Sequence, residues 1–167
     1  TNDYGNPYYY KRNGTDDLAG TYVEVDLTKQ HLWYYKDGSL LLESDLVSGD
    51  LSKNQGTMTG IFPVAYKESP STLVGANYST KVQYWMPFYE GEGLHDAWWR
   101  TAFGGEIYKT NGSNGCLNLP SNVAQSIYEN IDAGVPIVIY YEPGTEPADS
   151  TYASDSTTMA DNAAAAG

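Results

Sequence analysis

A chain of 167 residues, 41% hydrophobic and 18% charged, has the size of one domain and can bury a sizeable core. Nine Lys and Arg against 21 Asp and Glu give a net charge of −12; five acids and no base lie from Glu142 onward, so neither the body nor the tail carries the basic footprint of a nucleic-acid binder. No apolar run approaches the ~20 residues of a membrane span, and any export signal or anchor is expected outside residues 1–167.

Residues 1–20, with Tyr8-Tyr9-Tyr10-Lys11-Arg12 and Asn13-Gly14-Thr15-Asp16-Asp17, read as a polar N-terminal arm or linker. Tyr22 to Leu27 alternates apolar and polar positions and predicts a strand. A second strand-like run, Gln30 to Lys36, leads into the hairpin turn signal Asp37-Gly38 and makes His31 a strand-face residue. Beyond the only cysteine, Pro120 opens a predicted helix in which Val123, Ile127 and Ile131 recur at four-residue spacing, with Gly134 as its C-terminal stop. Val135 to Tyr140 then predicts a closing buried strand. From Glu142 the composition shifts to Pro, Gly, Ser, Thr, Asp and a final alanine run. Tyr152 and Met159 are the only large apolar residues there, so 142–167 is expected to be a disordered acidic tail.

Cys116 is the sole cysteine, and it lies in Gly112-Ser113-Asn114-Gly115-Cys116-Leu117-Asn118. A lone thiol is most often a small buried hydrophobe. This one is bracketed by polar residues in a glycine-rich turn instead of an apolar periodic run, which favours a nucleophile with backbone N–H groups free to face an oxyanion. Such a thiol needs an imidazole. Of the two histidines, His95 lies in the glycine-loosened, aromatic-rich stretch Glu90-Gly91-Glu92-Gly93-Leu94-His95-Asp96-Ala97-Trp98-Trp99, the kind of segment that lines a site, whereas His31 is strand-like. One cysteine and two distant histidines give no zinc spacing, so neither metal nor cofactor is expected.

His95, seventeen intervening residues and Ser113-Asn114-Gly115-Cys116-Leu117-Asn118 together resemble the signature of the L,D-transpeptidase (YkuD-type) family: His, a spacer, Ser or Thr, His, Gly, Cys, a hydrophobic residue, then Asn or Arg. Asn114 stands where the family usually has a second histidine. The likeness extends over residues 21 to 141. Val23 to Leu27 with Gln30, Leu32, Tyr35 and Gly38 resembles the family's opening hairpin. Gly56-Thr57-Met58-Thr59-Gly60-Ile61-Phe62 resembles its Thr-Pro-x-Gly-x-Phe segment with Met58 for proline, while Tyr84-Trp85-Met86-Pro87-Phe88 and His95-Asp96-Ala97-Trp98-Trp99-Arg100 resemble Gram-positive members.

The resemblance implies a mainly β fold, a YkuD-like sandwich or barrel with one or two helices, one of them after the cysteine loop. It implies an enzyme that forms 3→3 cross-links in peptidoglycan through a Cys116 thioester on a tetrapeptide stem, with L,D-carboxypeptidase action when water resolves the intermediate. His95 would hold Cys116 as a thiolate, and the Ser113 carbonyl would orient His95. N–H groups at Gly115 and Cys116 would form the oxyanion hole, with Asn114 and Gly115 shaping the loop. Tyr84, Trp85, Met86, Trp99 and Asn118 are candidate substrate walls, although core packing of such aromatics is the commoner outcome, and bracing of the loop is the favoured role for Asn118. Asp96 is expected to be a solvated or loop-capping carboxylate as readily as a catalytic one. The implied partners are stem peptides and carbapenem-type β-lactams acting as covalent inhibitors, with no nucleic acid. The protein is expected to be a monomer on the outer face of the cell envelope. A catalytically silent wall-binding module is the main alternative, ahead of a general cysteine protease or a purely structural surface domain.

Overall fold

The computed structural model describes residues 20–75, 78–142, 144–145 and 147. The N-terminal arm and nearly all of the acidic tail therefore lie outside the described residues. The chain divides into two compact units, one built from the segments up to Glu43, Met58–Phe62 and from Pro136 onward, the other from Ser44–Thr57 and Pro63–Val135.

The first unit is a sheet. Its strands are β1 (Tyr22–Asp26), β2 (His31–Lys36), β3 (Ser39–Asp45), β4 (Gly60–Pro63) and β10 (Pro136–Tyr140), in the order β3-β2-β1-β10-β4. β1 runs antiparallel to β2 and parallel to β10. Asp37 and Gly38 both have positive φ (53° and 83°), the backbone a two-residue hairpin turn requires, and they join β2 to β3 as the sequence predicts. One expectation fails here: β1 does not alternate between core and solvent but is buried at all five positions. Its buried carboxyls are satisfied internally at one oxygen each, with Tyr140 Oη donating to Glu24 Oε2 (2.6 Å) and Lys29 N donating to Asp26 Oδ1 (3.0 Å). Burial then raises the Asp26 carboxyl to about 8, and its contact with Glu142 pushes the same way.

The second unit carries β5 (Ser71–Gly75), β6 (Tyr78–Val82), β7 (Trp85–Tyr89), β8 (Glu92–Asp96), α1 (Ile107–Asn111), β9 (Leu117–Leu119) and α2 (Ser121–Asn130). Strands β9, β8 and β7 form one sheet, with β8 antiparallel to β7 and parallel to β9, while β5 and β6 pair as a separate antiparallel ribbon. The predicted helix is α2, shifted by one residue: Pro120 is its N-cap rather than its first turn. Its buried stripe is Ala124, Ile127 and Ile131, with Val123 only half-buried. Gly134 is not the helix cap. Ile131 closes the helix through N–H to Ile127 O (2.8 Å), and Gly134, at φ 95°, makes the following turn into β10. Among the described residues no helix is long and apolar enough to cross a membrane, and no group of three or more His, Cys, Asp or Glu could hold a metal.

Candidate active site

The parallel pairing of β8 with β9 assembles the site, because its register sets Leu117 opposite Leu94, Asn118 opposite His95 and Leu119 opposite Asp96. Cys116 is the residue just before β9. Two clefts meet at its thiol. One, of about 210 Å3, is walled by His95, Trp99, Arg100, Ser113, Asn114 and Asn118 among others; the second, of about 220 Å3, runs past Tyr66, Glu68, Trp85 and Gly91. Leu73 and Tyr78 of the β5–β6 ribbon line both. His31 is elsewhere, in the first unit, with Nε2 2.8 Å from Glu43 Oε1.

His95 is 3% exposed and fixed at both nitrogens. Nδ1 lies 2.8 Å from the Asp96 carbonyl and so carries the proton, which leaves Nε2 as acceptor for Asn118 Nδ2 at 3.3 Å. The Asn118 amide is itself oriented by Arg100, whose Nε donates to Asn118 Oδ1 (2.9 Å) while Nη1 donates to Asn111 O (2.9 Å). The Trp85 and Trp99 rings flank the imidazole, with centroids 5.9 and 6.0 Å away. Burial lowers the imidazole's affinity for a proton, and the Asp96 carbonyl and carboxylate oppose this only in part.

Cys116 Sγ donates to Gly91 O at 3.5 Å, in the turn that opens β8. Burial pushes its pKa up to about 12; the Gly93 N–H works against that rise and the nearby Glu92 carboxylate adds to it. A lowered histidine beside a raised cysteine is a neutral pair at rest. Both shifts run against the expectation of a standing thiolate held by His95.

The cysteine loop is braced by residues that the motif does not contain. Asp50 is the centre of this support: its Oδ2 accepts from Gly112 N (2.9 Å) and its own N–H donates to Ser113 O (2.9 Å). Burial opposes ionisation of Asp50, but hydrogen bonds from Ser52 and the Gly112 N–H hold its carboxyl below the usual range. The Ser113 carbonyl is thus committed to Asp50, and the orienting role expected of it toward His95 falls to the Asp96 carbonyl. The Ser113 hydroxyl is not idle either, since it donates to Cys116 O and accepts from Gly115 N at 3.1 Å. That second bond engages one of the two N–H groups expected to form the oxyanion hole, so Gly115 must release Ser113 before it can serve. Gly112 is a close-approach glycine, because a Cβ there would lie 2.6 Å from Asp50 Cα. Gly115 adopts φ 129°, a backbone open to glycine.

Thr57 supplies the other brace. Its hydroxyl donates to Gly115 O (2.7 Å) and accepts from Gly49 N (3.0 Å), and the side chain is fully buried. Thr57→Val keeps the shape but leaves two buried backbone groups unpaired, so a loss of about 1–3 kcal/mol is expected. The readout is a fall of several degrees in Tm, and an unchanged Tm would show the brace to be dispensable.

Of the candidate substrate walls, Trp99 lines the first cleft and Trp85 the second. Tyr84 and Met86 do not reach either lining. Tyr84 packs on Tyr128 with centroids 5.2 Å apart, and Met86 is fully buried core, as the alternation of a strand demands for a residue next to Trp85. Asn118 is buried, lines the first cleft, and spends its side chain on His95 and Arg100. Asn114 is exposed on the cleft wall. Asp96 is 1% exposed, and its carboxylate accepts from Gln83 N and Tyr84 N, a loop cap with no solvated role. Arg100, Asp50 and Thr57 were not foreseen as site residues; Arg100 and Thr57 carried a signal, each lying in a family-like segment, and Asp50 carried none.

A mainly β scaffold thus places the one cysteine where two clefts meet, and one of those clefts holds a buried histidine. The chain belongs to the YkuD family of L,D-transpeptidase catalytic domains, whose model matches residues 20–139. Among solved structures it is similar to the crystal structure of a cysteine-to-serine mutant of Enterococcus faecium L,D-transpeptidase: 42% identity, 72% of this chain and 50% of that one covered, TM-score 0.69. It is similar to the E. faecium catalytic domain acylated by ertapenem (42% identity, 73% and 98% covered, TM-score 0.66). An L,D-transpeptidase from Stackebrandtia nassauensis follows at 29% identity, with 81% and 62% covered and a TM-score of 0.63. The chain spans half the length of the longer E. faecium protein and nearly all of its isolated catalytic domain. No curated protein matches it.

Proposed function

We propose that this chain is a peptidoglycan L,D-transpeptidase that works through a thioester on Cys116. The observation that carries the reading is the thiol at the meeting point of two clefts, only one of which holds His95. A transfer reaction needs room for a donor and an acceptor at one sulfur. In the first step the thiol leaves Gly91 O and Asn118 Nδ2 releases His95 Nε2, which takes the thiol proton as Sγ attacks the carbonyl of the L,D-peptide bond in a tetrapeptide stem. The C–N bond breaks, and the imidazolium returns its proton to the departing D-Ala amine. In the second step the amine of another stem attacks the thioester carbonyl and gives its proton to His95, the C–S bond breaks, and the departing Cys116 sulfur takes that proton back, which leaves a 3→3 cross-link and the free enzyme. Water in place of that amine yields the L,D-carboxypeptidase product. The site of action is the outer face of the cell envelope, where such stems are cross-linked. Acylation of the E. faecium domain by ertapenem supports a carbapenem as a covalent ligand of Cys116.

The neutral resting pair favours a second reading, a silent module that binds wall peptides without turnover. Incubation with a tetrapeptide stem separates the two by mass spectrometry: loss of D-Ala with a dimer product is transpeptidation, and loss without a dimer is hydrolysis. Neither product, together with no carbapenem adduct, establishes the silent module.

Asn114 bears on the same choice. It is exposed, and the hydrogen bonds that hold His95 come from Asp96 and Asn118. Asn114→His therefore changes the carbapenem acylation rate by no more than about fivefold, the size of an exposed electrostatic contact. Stopped-flow acylation checks this, and an inert wild type rescued by Asn114→His would mark the chain as a degenerate member.

A further inference from the structure

Trp98 takes no part in the chemistry above, yet at 64% it is the most exposed of the four tryptophans. It is held in place, not loose: its Nε1 donates to Lys81 O (3.0 Å), and its ring meets Trp99 edge-on at 5.4 Å and 89°. Trp99, 42% exposed, carries the aromatic surface on to His95 and the Cys116 cleft. On its outer side Trp98 walls a shallow cleft of about 360 Å3 with Lys81, Gln83, Asp96 and Ser121. The result is a fixed aromatic ledge with a polar rim, running from the catalytic imidazole out to solvent.

The chemistry of the ledge selects its occupant. A flat indole face beside amide and hydroxyl groups suits a pyranose ring, which offers C–H bonds on one face and hydroxyls at its edge. An anionic ligand is disfavoured, since Lys81 is the only cation on the rim and the chain carries a net charge of −12. Reach agrees as well. Centroid steps of 6.0 and 5.4 Å from the His95 ring put Trp98 at most about one extended three-residue peptide away, a length of roughly 10–11 Å.

We infer that the Trp98–Trp99 ledge is a saccharide subsite, which holds a sugar ring of the glycan strand whose stem peptide occupies the Cys116 cleft. The inference rests on the stem-peptide reading, and its test separates the two. Trp98→Ala and Trp98→Phe are compared with wild type in two measurements. In the first, intrinsic fluorescence follows titration with a β-1,4-linked N-acetylglucosamine hexamer, which has no peptide. Wild type gives a saturable change, Trp98→Ala weakens the apparent Kd about tenfold, and Trp98→Phe keeps most of the affinity. In the second, kcat/KM for a disaccharide-bearing tetrapeptide is divided by that for the sugar-free tetrapeptide, and Trp98→Ala lowers this ratio about tenfold. No saturable response to the hexamer, or equal affinity in all three proteins, overturns the subsite. A ratio unmoved by Trp98→Ala overturns it too. Absence of turnover on both peptides strikes at the stem-peptide reading alone, and the hexamer titration then decides the ledge.

Discussion

Cys116→Ala and Cys116→Ser take up no carbapenem in intact-mass analysis and form no cross-linked product, while their unfolding curves stay close to that of wild type. Neither a methyl nor a hydroxyl can become the sulfur nucleophile at neutral pH. Preservation of the fold is part of the expectation because Cys116 packs only partly, at a cleft junction, and the loop around it is braced by Asp50, Ser113 and Thr57 instead. His95→Ala lowers the acylation rate by at least about a hundredfold, the scale of a lost general base. An adduct at wild-type rate in the His95→Ala protein would remove the proposed base, and a covalent adduct on Cys116→Ala would remove the proposed nucleophile.

The second large effect is in pH dependence, and its sign follows from the two shifts. A thiol raised to about 12 is protonated throughout the neutral range, and an imidazole lowered below 6.5 is neutral there. Iodoacetamide, which needs a thiolate and no help from substrate, should alkylate Cys116 at pH 7 at least about a hundredfold more slowly than a free cysteine, with the rate still climbing past pH 9. Carbapenem acylation uses His95 as base. Its rate should therefore stay level from pH 8 down through the ordinary histidine range, and fall only at more acid pH, where Nε2 becomes protonated. Had the pair rested as thiolate and imidazolium, alkylation would be fast and flat with pH down to about 6. Such a profile would overturn the neutral resting state.

The candidate nucleophile and base were legible because they are singular. One cysteine in a glycine-rich turn and one histidine in a loosened aromatic segment leave few pairings, and the structure brings Cys116 and His95 to one cleft. The turn Asp37-Gly38, the helix after Pro120 and the strand ending at Tyr140 were legible too, since each depends on local backbone preference or short periodicity. What was hidden depends on partners distant in sequence. Asp50 lies more than sixty residues before Gly112, whose N–H it holds, and Thr57 is as remote from Gly115. The polar alternation of β1 promised a solvated face, but both faces of the strand are covered, and Glu24 and Asp26 are buried with the rest. Tyr84 and Met86 resembled a cleft wall by their nearness to His95 in sequence; along β7, however, adjacent side chains take opposite faces, and only Trp85 turned toward the site.

The register of β8 against β9 has a consequence for how such a site tolerates change in length. His95 and Asn118 face each other because two neighbouring strands are in step, not because the chain between them has a particular length. Residues 97–112 form a detour that leaves one strand and returns to the next, and doubling a flexible detour costs only about 0.6 kcal/mol. Insertions and deletions in that stretch should be absorbed there, provided Arg100 still meets Asn118 and Gly112 still meets Asp50. A single residue gained or lost between Ser113 and Leu119 is different in kind. It would turn every following side chain to the opposite face and seat a leucine where the imidazole now finds its amide. The separation of the histidine from the cysteine is thus an elastic quantity, and the stretch from Ser113 to Leu119 a rigid one.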